Sequence, residues 1–379
     1  MIDRHLHHSN QLSLRQLIPC IPIVLLTIFI VVGLLTAPTS KRLLFFGNVK
    51  DALSGLKAET LIEMMGWQNP YLKEVLPEGY QKISFTKFAF QMSTHIDFED
   101  ERSLLGNELP GFSIYDTKIL VAGEGTNYTN VPIESPPPLD YILKKQKEEG
   151  SQKEEQKPPA KQDVASAQVF LYSTHSWESY LPLLGKAGAK DANLATSSTK
   201  NVHLIDEMLR DALTKKNINT MIDETNIAMI LQKKGWNTNR SYDASRSIVA
   251  AAVDSKKKYQ LFIDIHRDSA RKQSTTATIK GEPYARVSLV VGTSHANADN
   301  NINVANKLND MLKARYPGLS KGVMGKSRSE GNGVYNQDLS PRAVLIEVGG
   351  VDNTMDELQR TVSALADVIS DYVKNAKKV

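Results

Sequence analysis

Three short apolar runs of the chain each end in polar side chains of the kinds that hydrolytic metal enzymes use. The three segments are Ser173-Thr-His175-Ser-Trp-Glu178, Asp264-Ile-His266-Arg-Asp268 and Ile346-Glu347-Val-Gly-Gly350. Two histidines and one glutamate form a known catalytic zinc set that leaves a fourth position for water. A further carboxylate can act as general base and later as acid to a leaving amine. The residue types therefore favour zinc-dependent hydrolysis, although the chain has no compact HExxH-type motif.

The same residues also have structural interpretations that the sequence leaves open. A histidine at the end of a strand is more often a hydrogen-bonded surface residue than a metal ligand. Glu347 lies in an apolar run, where burial of its charge is costly without a partner. Its candidate partners are Arg267, Arg271 and Arg342. Asp264 and Asp268 are predicted to orient the metal ligands from behind, as carboxylates next to metal-bound histidines do.

A serine hydrolase is the alternative chemistry. Its candidate nucleophiles are Ser241, Ser245 and Ser269. None of them lies in a Gly-x-Ser-x-Gly elbow, which weakens this alternative. Residues 239–246 are predicted to start a helix, with serine and aspartate as its caps. Three arginines, Arg240, Arg246 and Arg267, are predicted to bind a substrate carboxylate.

The pattern after residue 166 predicts the elements that position these segments. Short apolar runs, which predict strands, occur at 169–172, 219–222, 260–265, 285–291 and 343–348. Apolar residues at helical spacing predict helices over 202–213, 248–253, 304–312 and 358–369, and Thr354-x-x-Glu357 forms a capping box before the last one. This alternation predicts an α/β domain with a mostly parallel sheet and helices on both faces, and the strand ends would meet at one edge.

A long apolar run near the N-terminus predicts attachment to a membrane. Residues 17–37 are mostly apolar and 23–35 carry no charge, which is enough to span a bilayer as one helix. A cleaved signal peptide is the alternative, but its apolar core would be shorter, and Leu34-Leu-Thr-Ala-Pro38 is a poor cleavage site. Basic residues flank the run on both sides, so charge alone does not set its orientation. We expect an uncleaved, single-pass anchor.

Composition divides the chain into five parts. Residues 1–16 are predicted to be a cytoplasmic tail, 17–37 the transmembrane anchor, and 38–134 a membrane-proximal extracytoplasmic region without a catalytic pattern. Residues 135–165 begin with three prolines and continue with Lys, Glu and Gln, too polar to offset the entropy of ordering. They are predicted to be a flexible spacer, in which only 144–149 could form a solvated helix. Residues 166–379 are the predicted catalytic domain.

Composition also excludes several classes of function. The only cysteine, Cys20, lies in the apolar run, so the body has no cysteine for a disulfide, a nucleophile or a zinc site. The 46 basic and 42 acidic residues leave a net charge of +4, and no basic stripe interleaves with aromatic residues. We therefore expect no nucleic-acid partner.

Several segments together resemble those of the stage II sporulation protein P family. The members of this family are peptidoglycan hydrolases of endospore-forming bacteria. The matching segments are Glu108-Leu-Pro-Gly-Phe112, Tyr172-Ser-Thr-His-Ser-Trp-Glu-Ser-Tyr-Leu-Pro182, Ser241-Tyr-Asp-Ala-Ser-Arg246, Ile263-Asp-Ile-His-Arg-Asp-Ser269, Tyr316-Pro-Gly-Leu-Ser320, Tyr335-Asn-Gln-Asp-Leu339 and Leu345-Ile-Glu-Val-Gly-Gly-Val-Asp-Asn353. They extend from before the spacer to the C-terminal part of the chain. The predicted anchor and spacer also agree with the layout of that family.

The resemblance implies a catalytic domain like that of zinc-dependent N-acetylmuramoyl-L-alanine amidases. It implies that His175 and His266 are zinc ligands and that Glu347 is the catalytic carboxylate. The third ligand in those amidases is a glutamate that opens the first helix. Here that helix opens with Asn201, and Glu178 is predicted to take the place of that ligand.

One residue departs from the family pattern. The family usually has Tyr-His-Thr-His where this chain has Tyr172-Ser-Thr-His175, so Ser173 replaces a histidine. A non-catalytic, membrane-anchored wall-binding scaffold of the engulfment machinery is the alternative function that this departure favours.

The resemblance implies cleavage of the N-acetylmuramoyl-L-alanine amide of peptidoglycan, and also of stem-peptide cross-links, during septal thinning and engulfment in sporulation. Stage II sporulation proteins D and M are the implied partners. Because the wall lies outside the cytoplasmic membrane, we expect the catalytic domain to be extracytoplasmic, at the sporulation septum and the engulfing membrane.

Overall fold

A computed structural model describes residues 62, 65–66, 69–76, 117–134, 136–150, 167–255, 257, 259–327 and 331–376. The chain divides into two compact units, Met1–Ile83 and Ser84–Val379. The described part of the first unit contains a short 3-10 helix, Pro70–Val75. Among the described residues, none belongs to a helix that is both long and apolar enough to cross a membrane. The predicted tail and anchor, 1–16 and 17–37, lie outside the described residues.

The second unit alternates strands and helices, as the apolar pattern predicted. Its helices are α1 Leu139–Gly150, α2 His203–Thr214, α3 Ile227–Lys234, α4 Ser241–Asp254, α5 Lys272–Thr275, α6 Ala298–Arg315 and α7 Met355–Ala376. Its strands are β1 Lys118–Ala122, β2 Val169–Tyr172, β3 Thr220–Ile222, β4 Leu261–Asp268, β5 Thr276–Ile279, β6 Glu282–Ala285, β7 Val287–Gly292, β8 Ser320–Lys326 and β9 Ala343–Gly350. The predicted helices correspond to α2, α4, α6 and α7, and the predicted strands to β2, β3, β4, β7 and β9.

Seven strands form one sheet in the order β1-β8-β7-β9-β4-β2-β3, and β5 and β6 form a separate hairpin. β3, β2, β4 and β9 run parallel to one another, and β7 runs parallel to β8. The sheet is therefore mostly parallel, which confirms the predicted α/β architecture. Two pairs, β7 with β9 and β1 with β8, are antiparallel. As a result, the first residues of β7 and β8 lie at the same edge as the last residues of β2, β4 and β9.

Alternate side chains of the strands face two different layers of helices. Leu171 of β2 and Ile263 of β4 belong to a core that also contains residues of α2, α6 and α7. Phe170 and Phe262, one residue away in each strand, pack on the opposite face against Val249 of α4. Helices thus cover both faces, as predicted. Because residues two apart in a strand share a face, Asp264, His266 and Asp268 lie on the same side of the sheet as Phe262 and α4.

The folded body begins earlier in the chain than the sequence predicted. β1 belongs to the region predicted as membrane-proximal, yet it is the edge strand of the sheet. α1 lies inside the predicted spacer, 135–165, and its Ile142 is fully buried against Ile227 of α3. The physical reason is an apolar face of Leu139, Ile142 and Leu143, which packs on the domain despite the polar composition around it. Residues 151–166 of the predicted spacer lie outside the described residues.

Candidate metal centre

The ends of β2, β4 and β9 bring the predicted site residues together. β4 and β9 are neighbours in the sheet, and their register places His266 directly beside Glu347. On the other side of β4, Tyr172 at the end of β2 lies beside Asp264. The chain then turns and presents His175. The carboxyl ends of parallel strands thus meet as the sequence predicted.

His175, Glu178 and His266 form a buried cluster with the composition of a metal site. One donor atom of each lies within 4.8 Å of the others. His175 Nδ1 lies 3.1 Å from Glu178 Oε1, and His266 Nδ1 lies 3.7 Å from Glu178 Oε2. An antiparallel bridge with Thr196 holds the backbone of Glu178, and the backbone N–H of Arg267 donates to Glu178 Oε2 at 2.9 Å. The three residues predicted as ligands are therefore neighbours, and each is at most 5% exposed.

The charges around Glu178 keep its carboxylate ionised. Burial alone would raise the pKa of Glu178. The hydrogen bond from His175 and the positive charges of Arg267 and His266 outweigh burial and lower that pKa from 4.5 to about 2. A metal ion binds deprotonated ligands, so an ionised carboxylate held between two imidazoles suits a cation.

Asp264 stands behind His266, on the side away from Glu178. Its Oδ1 lies 3.0 Å from His266 Nε2, whereas His266 Nδ1 faces Glu178. The backbone N–H and the hydroxyl of Thr174 donate to Asp264 at 2.9 and 2.7 Å. Burial lowers the pKa of His266, but the negative charges of Asp264, Glu178 and Glu347 outweigh it and raise that pKa to about 10. The pocket attracts positive charge to this imidazole, and a bound metal ion would supply that charge in place of the proton.

Glu347 is buried beside this cluster. It is 1% exposed, and neither carboxylate oxygen has a hydrogen-bond partner among the described residues. Burial raises the pKa of Glu347 well above 4.5; His266 lowers it, and the charges of Glu178 and Asp268 raise it further. The arginines considered as its partners, Arg267, Arg271 and Arg342, donate to other groups. A buried carboxyl group without a hydrogen-bond partner can exchange a proton with a bound molecule.

Asp268, predicted to support the ligands, joins two distant parts of the chain to the end of β4. Its carboxylate accepts from Lys321 Nζ of β8 at 2.9 Å, in a pair that is almost completely buried. It also accepts from the backbone N–H groups of Ile133 and Ala270 at 3.1 and 2.9 Å. Asp268 thereby fixes the connection between β1 and α1 against the site.

Of the arginines predicted to bind substrate, Arg267 lies at the cluster of His175, Glu178 and His266. It is 5% exposed, and its backbone N–H holds Glu178 as described above. Its Nη1 donates to the carbonyl of Asp268 at 3.2 Å and to Ser269 Oγ at 3.3 Å. Arg267 therefore helps to shape the cluster.

The other two arginines form ion pairs with carboxylates of the protein. Arg246 donates two hydrogen bonds to the carboxylate of Asp338, at 2.8 and 2.6 Å. Arg240 donates to Asp243 at 2.8 Å, one turn further along the same segment. Both guanidinium groups therefore contact carboxylates of the protein, and substrate binding by Arg240 and Arg246 stays a prediction.

Glu134 is a residue of the site that the sequence did not reveal. It lies in the connection between β1 and α1, and its Oε1 lies 3.2 Å from Lys326 Nζ at the end of β8. Burial would raise the pKa of Glu134, but the positive charges of Lys326, His175 and His266 lower it. The carboxylate therefore lies near both imidazoles. Glu134 precedes a run of prolines and belongs to no periodic pattern, so no local signal could have identified it.

Ser173, the departure from the family pattern, points away from the cluster of His175, Glu178 and His266. Its hydroxyl donates to Asp206 Oδ2 of α2 at 2.9 Å, and His203 Nδ1 lies 3.1 Å from the same oxygen. α2 covers the face of the sheet opposite to α4. A side chain at position 173 is therefore directed to a polar group on the other face of the sheet.

The alternative serine nucleophiles are engaged elsewhere. The Ser241 hydroxyl donates to the carbonyl of Thr238, and the Ser269 hydroxyl accepts from Arg267. The Ser245 hydroxyl lies 2.9 Å from that of Thr174. In the described part of the chain, none of these hydroxyls bonds an imidazole that could activate it.

Comparison with known proteins places this site in context. The family model described as Stage II sporulation protein P matches residues 99–370. Stage II sporulation protein P of Bacillus subtilis (strain 168) is 42% identical over 370 residues, which cover 94% of this chain and 90% of that protein.

Solved structures give weaker likenesses. An N-acetylmuramyl-L-alanine amidase from Mycobacterium smegmatis is 14% identical with a TM-score of 0.32, covering 56% of this chain and 99% of that one. An amidase from Clostridioides difficile, in complex with a lipoprotein, is 12% identical with a TM-score of 0.37, covering 55% and 99%. A metallo-carboxypeptidase from Burkholderia cenocepacia is 11% identical with a TM-score of 0.34, covering 57% and 59%.

Proposed function

Because the chain belongs to the stage II sporulation protein P family, we propose that it is a zinc-dependent peptidoglycan hydrolase of sporulation. The proposed reaction is cleavage of the amide between N-acetylmuramic acid and the L-alanine of the stem peptide. Cleavage of peptide cross-links is a proposed second activity of the same site. The observation that carries the proposal is the buried cluster of His175, Glu178 and His266 beside the unpartnered carboxyl group of Glu347.

The donor set of the cluster fits zinc. Two imidazole nitrogens and one carboxylate oxygen are ligands that zinc accepts in catalytic sites, whereas magnesium and calcium favour all-oxygen sets. Neither ring nitrogen of His266 has a hydrogen-bond partner of good geometry among the described residues, although both are buried. We propose that His175, Glu178 and His266 hold the zinc ion, with Asp264 setting the orientation of His266.

The residues around the cluster can carry the proton transfers of amide hydrolysis. Bound zinc would polarise the amide carbonyl and lower the pKa of a water molecule. Glu347 accepts a proton from the attacking water and donates it to the amine nitrogen as the carbon–nitrogen bond breaks. Glu347 lies beside His266 in the sheet, next to the proposed ligands and within reach of both transfers.

We further propose that the protein acts while anchored in the cell membrane by residues 17–37, with its folded body outside. The substrate lies outside the membrane, so the body must lie there too. Stage II sporulation proteins D and M are the proposed partners at the septum and the engulfing membrane. Protease added to intact protoplasts should digest the body, and a body that is digested only after lysis would contradict this orientation.

Metal analysis and a defined substrate together test the function. We expect the purified protein to contain one zinc ion and to release free L-alanyl peptide from a synthetic N-acetylmuramyl-peptide. His175→Ala and His266→Ala should lose the metal and the activity, whereas His203→Ala, a histidine on the other face of the sheet, should keep both. Full zinc content in both His175→Ala and His266→Ala would contradict the ligand assignment.

Substitution of Glu347 tests whether this residue acts as the general base and not as a metal ligand. Glu347→Gln keeps the size of the side chain but cannot accept a proton. We expect zinc content to stay and turnover to fall at least about a hundredfold, a typical effect of removing a general base. Glu282→Gln, an exposed glutamate of β6, is the control. Turnover of Glu347→Gln at the parent rate would refute the assignment.

A further inference from the structure

Two of the segments that matched the family, 241–246 and 335–339, supply no ligand to the metal cluster, yet they bind each other beside it. Arg246 of the first pairs bidentately with Asp338 of the second. Asn336 Nδ2 donates to the carbonyl of Tyr242 and to the hydroxyl of Ser245, both at 3.0 Å. The second segment therefore fixes the first turn of α4, where Tyr242 lies.

The second segment adopts an unfavourable backbone conformation to make these contacts. Tyr335 and Asn336 are consecutive residues with φ of 55° and 56°, in the left-handed region that side chains with a Cβ rarely adopt. Strain of this kind persists only where surrounding contacts impose it, and it concentrates at functional sites. In this backbone conformation the ring of Tyr335 packs edge-on against the ring of Tyr242. The two centroids are 5.0 Å apart and the ring planes are at 88°.

Tyr242 is thus held from two sides, and its ring lies against both histidines of the cluster. Its centroid is 5.6 Å from that of His175 and 6.2 Å from that of His266, with the latter rings within 10° of parallel. Tyr242 is 6% exposed, and its hydroxyl is buried without a hydrogen-bond partner among the described residues. A buried hydroxyl without a partner is destabilising, so its presence next to a metal cluster indicates that a bound molecule supplies the partner.

The hydroxyl of Tyr242 is a donor in this environment. A phenol hydroxyl carries a proton that it can donate to an oxygen. Its partner can be a neutral or a negatively charged oxygen. Both oxygens of Glu347, which lies beside His266, are likewise buried without a partner among the described residues.

We propose that Tyr242 is a further catalytic residue, whose hydroxyl donates a hydrogen bond to the carbonyl oxygen of the scissile amide. The inference rests on the proposed hydrolase function. Negative charge grows on that oxygen as water attacks the amide carbon, and a fixed donor in a dry pocket stabilises the charged oxygen more than the neutral one. The ion pair of Arg246 and the strained segment then hold the donor in place before the substrate arrives.

Tyr242→Phe removes the hydroxyl and keeps the ring, so it tests the proposal on the full-length protein. With a synthetic N-acetylmuramyl-peptide as substrate, we expect kcat to fall about a hundredfold, as when one oxyanion donor is removed. KM should stay within about a factor of two, since the hydrogen bond forms mainly in the transition state. Zinc content should be unchanged and Tm should be equal or higher, because an unpartnered hydroxyl has been removed.

Tyr259→Phe is the matched control. Tyr259 is also 6% exposed, and it packs against Phe170 and Phe262 away from the histidines. We expect this variant to keep the parent kcat. As a second measurement, a phosphinate analogue of the tetrahedral species should lose affinity for Tyr242→Phe by the same factor as kcat/KM, whereas the peptide product should bind equally to both proteins.

Each result decides between the alternatives. A parent-like kcat in Tyr242→Phe overturns the inference, and so does a fall in kcat that comes with lost zinc or a lower Tm, because Tyr242 would then be a structural residue. If the parent protein does not cleave the muramyl amide at all, the proposed function fails and the inference fails with it. A fall in kcat in Tyr242→Phe alone, with zinc and Tm retained, supports both.

Discussion

Asp264 links the two segments that carry the histidines. One of its oxygens faces His266 Nε2, and both oxygens accept hydrogen bonds from Thr174, which directly precedes His175. The carboxylate is 1% exposed, so water does not compete for these contacts. The orientation of both imidazoles therefore depends on a residue outside the proposed ligand set, as is common around metal-bound histidines.

We expect Asp264→Asn to weaken zinc binding about 10- to 100-fold, because the amide keeps the shape but loses the charge that orients His266. Competition with a chelator of known affinity measures this change. Asp243→Asn, an exposed aspartate of α4 paired with Arg240, is the control and should bind zinc like the parent. An unchanged zinc affinity in Asp264→Asn would show that Asp264 does not orient the ligand.

At the scale of elements, one ion pair joins α4 to the segment before β9. Arg246 and Asp338 are 43% and 28% exposed in their side chains, so solvent screens part of their attraction. We expect Arg246→Ala to lower the free energy of unfolding by about 1 kcal/mol, the upper range for such pairs, with little change in KM. Urea unfolding and steady-state kinetics measure the two effects. A large rise in KM at unchanged stability would instead restore Arg246 as a substrate-binding residue.

The start of α7 contains the capping box that the sequence predicted. Glu357 Oε2 accepts from the backbone N–H of Thr354 and from Asn353 Nδ2, both at 2.9 Å, and Lys272 Nζ lies 2.8 Å from Oε1. Burial would raise the pKa of Glu357, but Lys272 and these hydrogen bonds outweigh it and lower the pKa below 4.5. A lowered carboxyl pKa stabilises the fold above pH 4.5, and this contribution is lost as the pH falls through the folded-state value.

We therefore expect Glu357→Gln to be less stable than the parent at pH 7, by about 1 kcal/mol as for other helix caps. The difference should shrink as the pH falls below 4.5 and through the lowered pKa of Glu357, because the parent carboxylate then also becomes protonated. Urea unfolding at pH 7, 5 and 3.5 measures this trend. Glu282→Gln, an exposed partner of Arg360, should match the parent throughout. A difference that does not change with pH would mean that the charge of Glu357 is unimportant.

The sequence predicts those strands and helices whose own residues carry a clear apolar pattern. β4 and β9 carry long apolar runs, and α2 and α7 carry apolar residues at helical spacing, so the sequence located them and the polar residues at the strand ends. β8 is buried at all seven positions but contains Lys321 and Lys326. These lysines are buried because Asp268 and Glu134 pair with them. Charge pairing between distant residues leaves no local pattern, so the sequence indicated neither β8 nor the place of Glu134 in the site.

At the scale of the whole molecule, the sheet needs residues that precede the predicted catalytic domain. β1 covers the outer edge of β8, and α1 buries Ile142 against α3. We expect a chain starting at residue 167 to unfold at a lower temperature and to aggregate more than one starting at 117, because it exposes a strand edge and an apolar surface. Thermal unfolding and size-exclusion chromatography compare the two. Equal stability would mean that β1 and α1 are dispensable.

The position of α1 also shows which part of the chain joins the folded body to the predicted anchor. The chain leaves the folded body at Gly150 and re-enters it at Ala167, so both ends of 151–166 are attached to the same body. A connection that begins and ends on one body adds nothing to the length of chain between residues 17–37 and that body. If residues 17–37 hold the protein in the membrane as proposed, residues 38–117 join that segment to the first strand of the body. An insertion in 151–166 would therefore leave the number of residues between the anchor and the body unchanged, whereas an insertion in 38–117 would increase it.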